Sequence, residues 1–508
     1  MGAEPADAVD ALTSASRGLI SPELIVINQI VGCEIRRQKR WGIKMKSRVF
    51  TSPIMVLALL SFQACGGGEN STHKSASAPH EWTWLSGSDL ANQLPVYGTM
   101  GAASPSNVVG GRSSAAGWID ASGNLWILGG EIPDSSAPQT INDLWKYSAG
   151  EWTWMGGANV PDQPSVYGTQ GVSSPSNAPG ARYPGGNWIG PSGDLWLFGG
   201  LEPETTPDTG WLNDLWRYSA GEWTWMGGSN SPDQPGVYGT QGVASSSNIP
   251  GARFSAVSWT DRSGNFWLFG GDGPTVGGVN QLLNDLWKYN AGEWTWMSGS
   301  STSGQPGIYG TQGTAASTNA PGARVDSTGC ADASGNLWLF GGVGFDSQGA
   351  SQSFLNDLWK YSAGKWTWMS GPSVSNPVSQ LPTYGTQGTS SATNVPGGRY
   401  SSVCWADASG NVWLFGGDGY DSTGNFGDLN DFWKFSAGQW TWVSGANVVN
   451  ESGIYGTQGT PSPGNFPGAR MNPVALTDSF GNFWLFGGGG IDSSGTSGYL
   501  NDLWAYQP

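Results

Sequence analysis

Six arginines recur through the 508-residue chain: Arg112, Arg182, Arg253, Arg324, Arg399 and Arg470. Each is followed 31 to 33 residues later by the acid of an Asn-Asp-Leu-Trp segment or its variant, namely Asp143, Asp214, Asp285, Asp357, Asp431 and Asp502. A guanidinium can take a carboxylate through two parallel bonds, and a half-paired arginine is costly once buried. The repetition therefore predicts a structural bracket in every unit rather than an anion site. A second set of acids follows each recurring Gly-Gly pair: the fourth residue on is Asp134, Glu204, Thr275, Asp346, Asp421 or Asp492, acidic in five copies of six. Aromatic residues stand close by. Phe345 and Tyr420 immediately precede two of these acids, and Trp211, Phe354 and Tyr499 lie two residues before an Asn-Asp-Leu-Trp asparagine. Carboxylates beside exposed rings suit polar ligands with apolar faces, such as carbohydrates, which makes this the candidate ligand-binding set. Solvated acidic loops whose aromatics cover the tops of the units fit the same residues, and that alternative stays open.

Catalysis has less to work with. The only histidines are His73 and His80, both ahead of the repeats, so neither a Ser-His nor a Cys-His pair can form inside them and no catalytic residue is nominated. Calcium needs about six to eight oxygens, several of them carboxylate. Only Asp418, Asp421 and Asp428 are dense enough to suggest it, and turns stabilised by their own Asp and Ser side chains are the expected account of the Asp-Ser-x-Gly loops at Asp346, Asp421 and Asp492. No metal and no cofactor is expected.

These residues are positioned by a unit of 70 to 74 residues. Its Trp-Thr-Trp element begins at Trp82, Trp152, Trp223, Trp294, Trp366 and Trp440, and its Asn-Asp element at Asn142, Asn213, Asn284, Asn356, Asn430 and Asn501. Asn142 to Trp154 reads as two short strands joined by a turn at Ser148-Ala149-Gly150. The arginine opens another strand, which turns at a segment such as Asp120 to Asn124 and returns as an apolar run such as Leu195-Trp196-Leu197-Phe198. Four strands in meander order, the second apolar on both faces, predict sheets packed face to face around an axis, an all-β propeller of six blades. The recurrent tryptophans are expected in its core.

The order of arginine, apolar strand, double glycine, Asn-Asp strand and closing tryptophan resembles the kelch repeat over residues 81 to 508. The double glycines fall at Gly129-Gly130, Gly199-Gly200, Gly270-Gly271, Gly341-Gly342, Gly416-Gly417 and Gly487-Gly488. The unit exceeds the usual kelch length of about 50 residues, mainly between Trp-Thr-Trp and the arginine. The first Trp-Thr-Trp precedes any complete unit and the last unit stops at Tyr506 without one, so Trp82 to Trp84 is expected to complete the sixth blade and close the ring. The long Trp-Thr-Trp-to-arginine segments and the loops after each double glycine are expected on one face, the working face. Proteins similar to this one are grouped with galactose oxidase, whose copper is held by tyrosine and histidine; that ligand set has no counterpart here. A periplasmic kelch sugar mutarotase is the other enzymatic relative the resemblance brings in.

Residues 1 to 44 are a doubtful leader, because Met45 begins a better signal peptide: Lys46 and Arg48 precede an apolar run from Val49 to Ala64 that is too short to span a membrane. Ser61-Phe62-Gln63-Ala64-Cys65 resembles a bacterial lipobox, which implies lipidation of Cys65, although Phe62 departs from it and leaves room for ordinary cleavage. Residues 65 to 80 read as a flexible tether. From Cys65 on there are 14 Lys+Arg (22 minus 8) against 33 Asp+Glu (38 minus 5), a net charge near −19. Such a surface argues against nucleic acid and leaves the lipid as the only membrane attachment. Cys330 and Cys404 could pair in an oxidising compartment, but they fall one position apart on their repeats, which points their side chains to opposite faces and favours two buried free thiols. The expected protein is an exported, outer-membrane-anchored or extracellular or periplasmic monomer, a non-catalytic binding or scaffold module for glycan or protein ligands. Its rival is a sugar-modifying enzyme of mutarotase type.

Overall fold

The computed structural model describes residues 79–133, 139–202, 210–274, 280–376, 378 and 380–508; the leader, the signal segment, Cys65 and most of the tether lie outside them. The described chain is all-β and forms a six-bladed propeller. In the fifth blade, Val403–Ala406 runs beside the axis, Val412–Tyr420 and Phe426–Ser436 follow outward, and Gln439–Ser444 is the outer strand. The same order holds in the others. In the sixth blade the outer strand comes from the other end of the chain: Trp82–Ser86 pairs antiparallel with Ser497–Tyr506, Trp82 opposite Tyr506 and Trp84 opposite Trp504. Asn501 reinforces the seam by donating to the Val109 carbonyl at 3.0 Å.

Apolar second strands are buried because each is clasped between neighbouring blades. Leu414 and Phe415 are fully buried, and Trp405, Trp413 and Phe432 of the fifth blade pack with Phe483, Leu485 and Trp504 of the sixth. The double glycine ends the regular ladder at a bulge between Phe415 and Gly417. Gly416 and Gly417 have φ of 62° and 91°, and a Cβ on Gly416 would meet the carbonyl oxygens of Arg470 and Leu429 at 2.9 Å, so only glycine fits.

Two expectations need correcting. Cys330 and Cys404 form a disulfide between the fourth and fifth blades. Opposite faces are what such a bridge requires: the side of one sheet that meets its neighbour is the reverse of the side the neighbour presents. Trp118, Trp188, Trp259 and Trp405, which align with Cys330, each donate an indole N–H to a carbonyl of the next blade, so the disulfide stands where other blades use an indole. The long Trp-Thr-Trp-to-arginine segments, expected on the working face, first wrap the outer edge. Gly101 N–H and the Asn107 amide donate to the Trp154 and Trp152 carbonyls, covering a strand edge that would otherwise be open to pairing.

Trp82 is 2% exposed and packs against Phe415, Phe432 and Tyr506, so the closing strand carries core as well as ladder bonds. Trp82→Ala should cost about 3–5 kcal/mol in urea unfolding, and deleting residues 81 to 86 should lower the melting temperature further. An unchanged melt would contradict closure by this strand.

Candidate functional site

The arginine bracket sets the geometry of the axis. Arg112 donates to both Asp143 oxygens, at 2.7 and 3.0 Å, and to the Gly129 carbonyl at 3.0 Å. The Tyr97 hydroxyl and the Trp145 indole also donate to Asp143, at 3.0 and 2.7 Å. The third to sixth blades repeat the two-bond pair, and in the second Arg182 reaches Asp214 through one nitrogen at 2.7 Å while the other turns to Ser165 Oγ at 2.6 Å and Glu202 at 3.5 Å. Burial alone would lower the arginine pKa; the facing carboxylate reverses this and raises it, which keeps the guanidinium charged.

Two residues past each arginine the chain reaches the axis, at Ser114, Pro184, Ser255, Asp326, Ser401 and Asn472. Neighbours there are joined by main-chain bonds: Asn472 N–H to the Ser401 carbonyl at 2.9 Å, Ser401 N–H to Asp326 at 2.8 Å, Ser114 N–H to Asn472 at 3.1 Å, and longer links from Asp326 to Ser255 and Ser255 to Pro184 at 3.4 Å. Five of these residues have φ between 49° and 54°. The ring surrounds a cavity of about 170 Å3 whose lining holds one formal charge, Asp326, among serines, Asn472 and Tyr183.

Around the cavity stands a second tier, made by the residue after each double glycine. In the fifth blade Asp418 lies directly across from Asp428, and the Tyr400 hydroxyl donates to Asp418 at 2.7 Å. Between the first and sixth blades the Tyr499 hydroxyl donates to Glu131. In the third blade the position is Asp272. Burial raises the pKa of Asp418, Asp326 and Asp272, the last also through the Asp326 charge. Burial and then the Asp418 charge push Asp428 up to about 7, with partial relief from Arg470. Tyr183 rises to about 12 through burial and then its contact with Glu131. An aromatic wall flanks the Asp418–Asp428 pair: Phe354 packs on Phe426 at 4.8 Å, on Tyr400 at 5.7 Å in a stacked arrangement and on Tyr420 at 5.8 Å.

The residues nominated from sequence divide three ways. Phe354, Tyr420 and Tyr499 come to this mouth. Asp346, Asp421 and Asp492 do not form a solvent-facing ring: they are 1%, 0% and 2% exposed and their oxygens accept from their own turns and from the segment wrapping past, as Asp421 does from Thr423, Asn425 and Val449 N–H groups. Burial would raise the pKa of Asp421 and Asp492; these bonds outweigh it and hold both low. Trp211 and Phe345 are half-buried beside strand ends, the Trp211 main-chain N–H donating to the Asp233 carboxylate at 3.0 Å. Asp134, Glu204 and Thr275 lie outside the described residues. Asp326, Ser401, Asp272, Glu131, Tyr183, Tyr400 and Phe426 are missed by the sequence reading, and Asp418 and Asp428 entered it only as metal ligands. The available signal was variation within repetition: two residues past each arginine, where the surroundings repeat, the copies read Ser, Pro, Ser, Asp, Ser and Asn.

No family model and no curated protein matches the chain. Solved structures do. YjhT is 12% identical over 80% of this chain and 95% of its own, with a TM-score of 0.44. A fungal alcohol oxidase of the AA5 family in complex with copper is 12% identical over 81% and 77%, with a TM-score of 0.40. A protein of unknown function from Dyadobacter fermentans DSM 18053 is 9% identical over 84% and 98%, with a TM-score of 0.40. At these identities and scores no residue role transfers. The axial cavity here has no imidazole in its lining, so a tyrosine–histidine copper set has no counterpart in it.

Asp428 generates a pH dependence. The folded chain holds a proton on it up to about pH 7, whereas the unfolded chain releases it near 3.8. Its contribution to stability is thus complete below the unfolded value and is lost as pH rises through about 7. Asp428→Asn should flatten the fall in melting temperature between about pH 5 and pH 8 and melt above wild type at the upper end. A variant that melts no higher there would contradict the burial of this charge.

Proposed function

We propose that this protein is an exported, non-catalytic sugar-binding propeller that takes a polyhydroxylated ligand at the axial mouth. The observation that carries the reading is the aromatic wall of Phe354, Tyr400 and Phe426 standing beside the Asp418–Asp428 pair. A sugar presents C–H faces that stack on rings and hydroxyls that donate to carboxylates, so one wall can satisfy both parts of it. The serine-rich axial ring supplies further hydroxyl partners. Export is supported by the Cys330–Cys404 disulfide, a bond that persists in oxidising compartments, and by the signal-like segment ending at Cys65, which would tether the propeller to a membrane through lipid.

A second reading has its own support. Asp428, titrating near 7 beside Asp418, suits general acid–base chemistry on a sugar, as in an enzyme of mutarotase type. The two readings part under Asp428→Asn: loss of turnover with binding intact favours the enzyme.

A glycan array and a surface-protein screen with residues 66 to 508 test the binding reading. We expect a defined set of glycans to bind, and Phe354→Ala to weaken them by about tenfold, the value of one aromatic contact near 1.4 kcal/mol. Binding only to proteins, or glycan affinity untouched by Phe354→Ala, would overturn it.

A further inference from the structure

We propose that the sugar taken at this mouth carries a basic amine, and that its ammonium group enters the axial cavity against Asp326. This rests on the sugar-binding reading and narrows it to amino sugars with a free amine.

The cavity is built for a donor-only, positively charged group. Asp326 is the one formal charge in its lining, and no ammonium or guanidinium group lines it among the described residues. All six recurrent arginines are held on their own aspartates, leaving none to turn toward it. Ser401 belongs to this lining and is 6% exposed, and its buried Oγ has no hydrogen-bond partner among the described residues, so a turn about its Cα–Cβ bond is what would bring it to a ligand. The main chain adds an acceptor. Ring N–H groups are turned along the circumference and cannot serve an anion, whereas Pro184 has no N–H to give, which leaves the Ser114 carbonyl without a donor from the ring.

An ammonium offers three donors and no acceptor. Asp326 and Ser401 are neighbours on the ring, with the Ser114 carbonyl on its far side, around a space of about 170 Å3, enough for an amine with its attached carbon but not for a chain of sugar rings. A neutral hydroxyl could bond to Ser401 but would leave the Asp326 charge enclosed and uncompensated, a costly arrangement. A carboxylated sugar would meet Asp326, Asp272, Asp418 and Asp428 together. Burial raises the pKa of each of these groups, and only Asp428 has an arginine, Arg470, close enough to offset part of the rise.

Calorimetric titration of the mature protein decides it, using glucosamine, galactosamine and mannosamine beside their N-acetylated and 2-hydroxyl counterparts, at about pH 6.5 where the amines are charged. At least one free amine should bind tenfold or more tighter than both its counterparts. Asp326→Asn should collapse that ratio to near one while leaving the neutral sugars as they were, and Ser401→Ala should reduce it without removing it. The preference should also fade as pH rises and the amine loses its proton. Neutral or N-acetylated sugars binding as tightly as the amines would overturn the inference and leave the sugar reading standing. So would a ratio that survives Asp326→Asn, or one that is already near one in wild type if the variant fails to fold. Absence of binding by all nine sugars would overturn both.

Discussion

Everything at the axis depends on a buried ion pair repeated six times. Taking a guanidinium and a carboxylate out of water costs several kcal/mol for each ion, and the pair survives only if every donor and acceptor is served. Here the aspartate accepts from arginine, tyrosine and tryptophan, and the arginine also reaches the first glycine of the pair and the carbonyl two residues before it. The same arginine ties two blades together. Arg112 donates its main-chain N–H to Leu500 and accepts from Gly488, both of the preceding blade, while its side chain holds Asp143 of its own. A blade that lost its bracket would lose its place against its neighbour as well as its internal pair.

That double role explains how a rigid repeat can carry a non-repeating site. The bracket fixes where the chain arrives at the axis, and the next two residues are then free to differ. Ser113, Tyr183, Phe254, Val325, Tyr400 and Met471 occupy one position, and the ring that encloses Asp326 occupies the next. The backbone around the ring is held by links between neighbouring blades, so side-chain chemistry can change there without changing the scaffold. Asp326, Asp418 and Asp428 gather around Tyr400 between the fourth and fifth blades, while Tyr499 meets Glu131 and Tyr183 on the other side of the axis, so the ring is chemically uneven.

The scaffold was legible in the sequence because its chemistry repeats. Trp-Thr-Trp, Asn-Asp-Leu-Trp and the double glycines each mark one place in a blade, and the unmatched ends, Trp82 to Trp84 and Tyr506, point to closure. What was hidden lies between blades or occurs once. Cys330 and Cys404 look mismatched when compared within a sheet and are matched across two. Asp346, Asp421 and Asp492 read as surface acids from their loops, yet each N–H-rich turn draws its carboxylate inward. Asp326 is a single acid two residues past a repeated arginine, and only the closed ring shows that this position faces the axis.

Placement of the ligand at the axial mouth rather than on the rim is the claim on which the functional account stands. Amide hydrogen exchange with and without a saturating saccharide reads it directly. The account predicts slowed exchange in residues 399 to 428 and at Asp326 and Ser327, with the outer segments around Tyr97, Tyr167 and Tyr238 unchanged. Protection confined to those outer segments, or spread equally over all six blades, would contradict it.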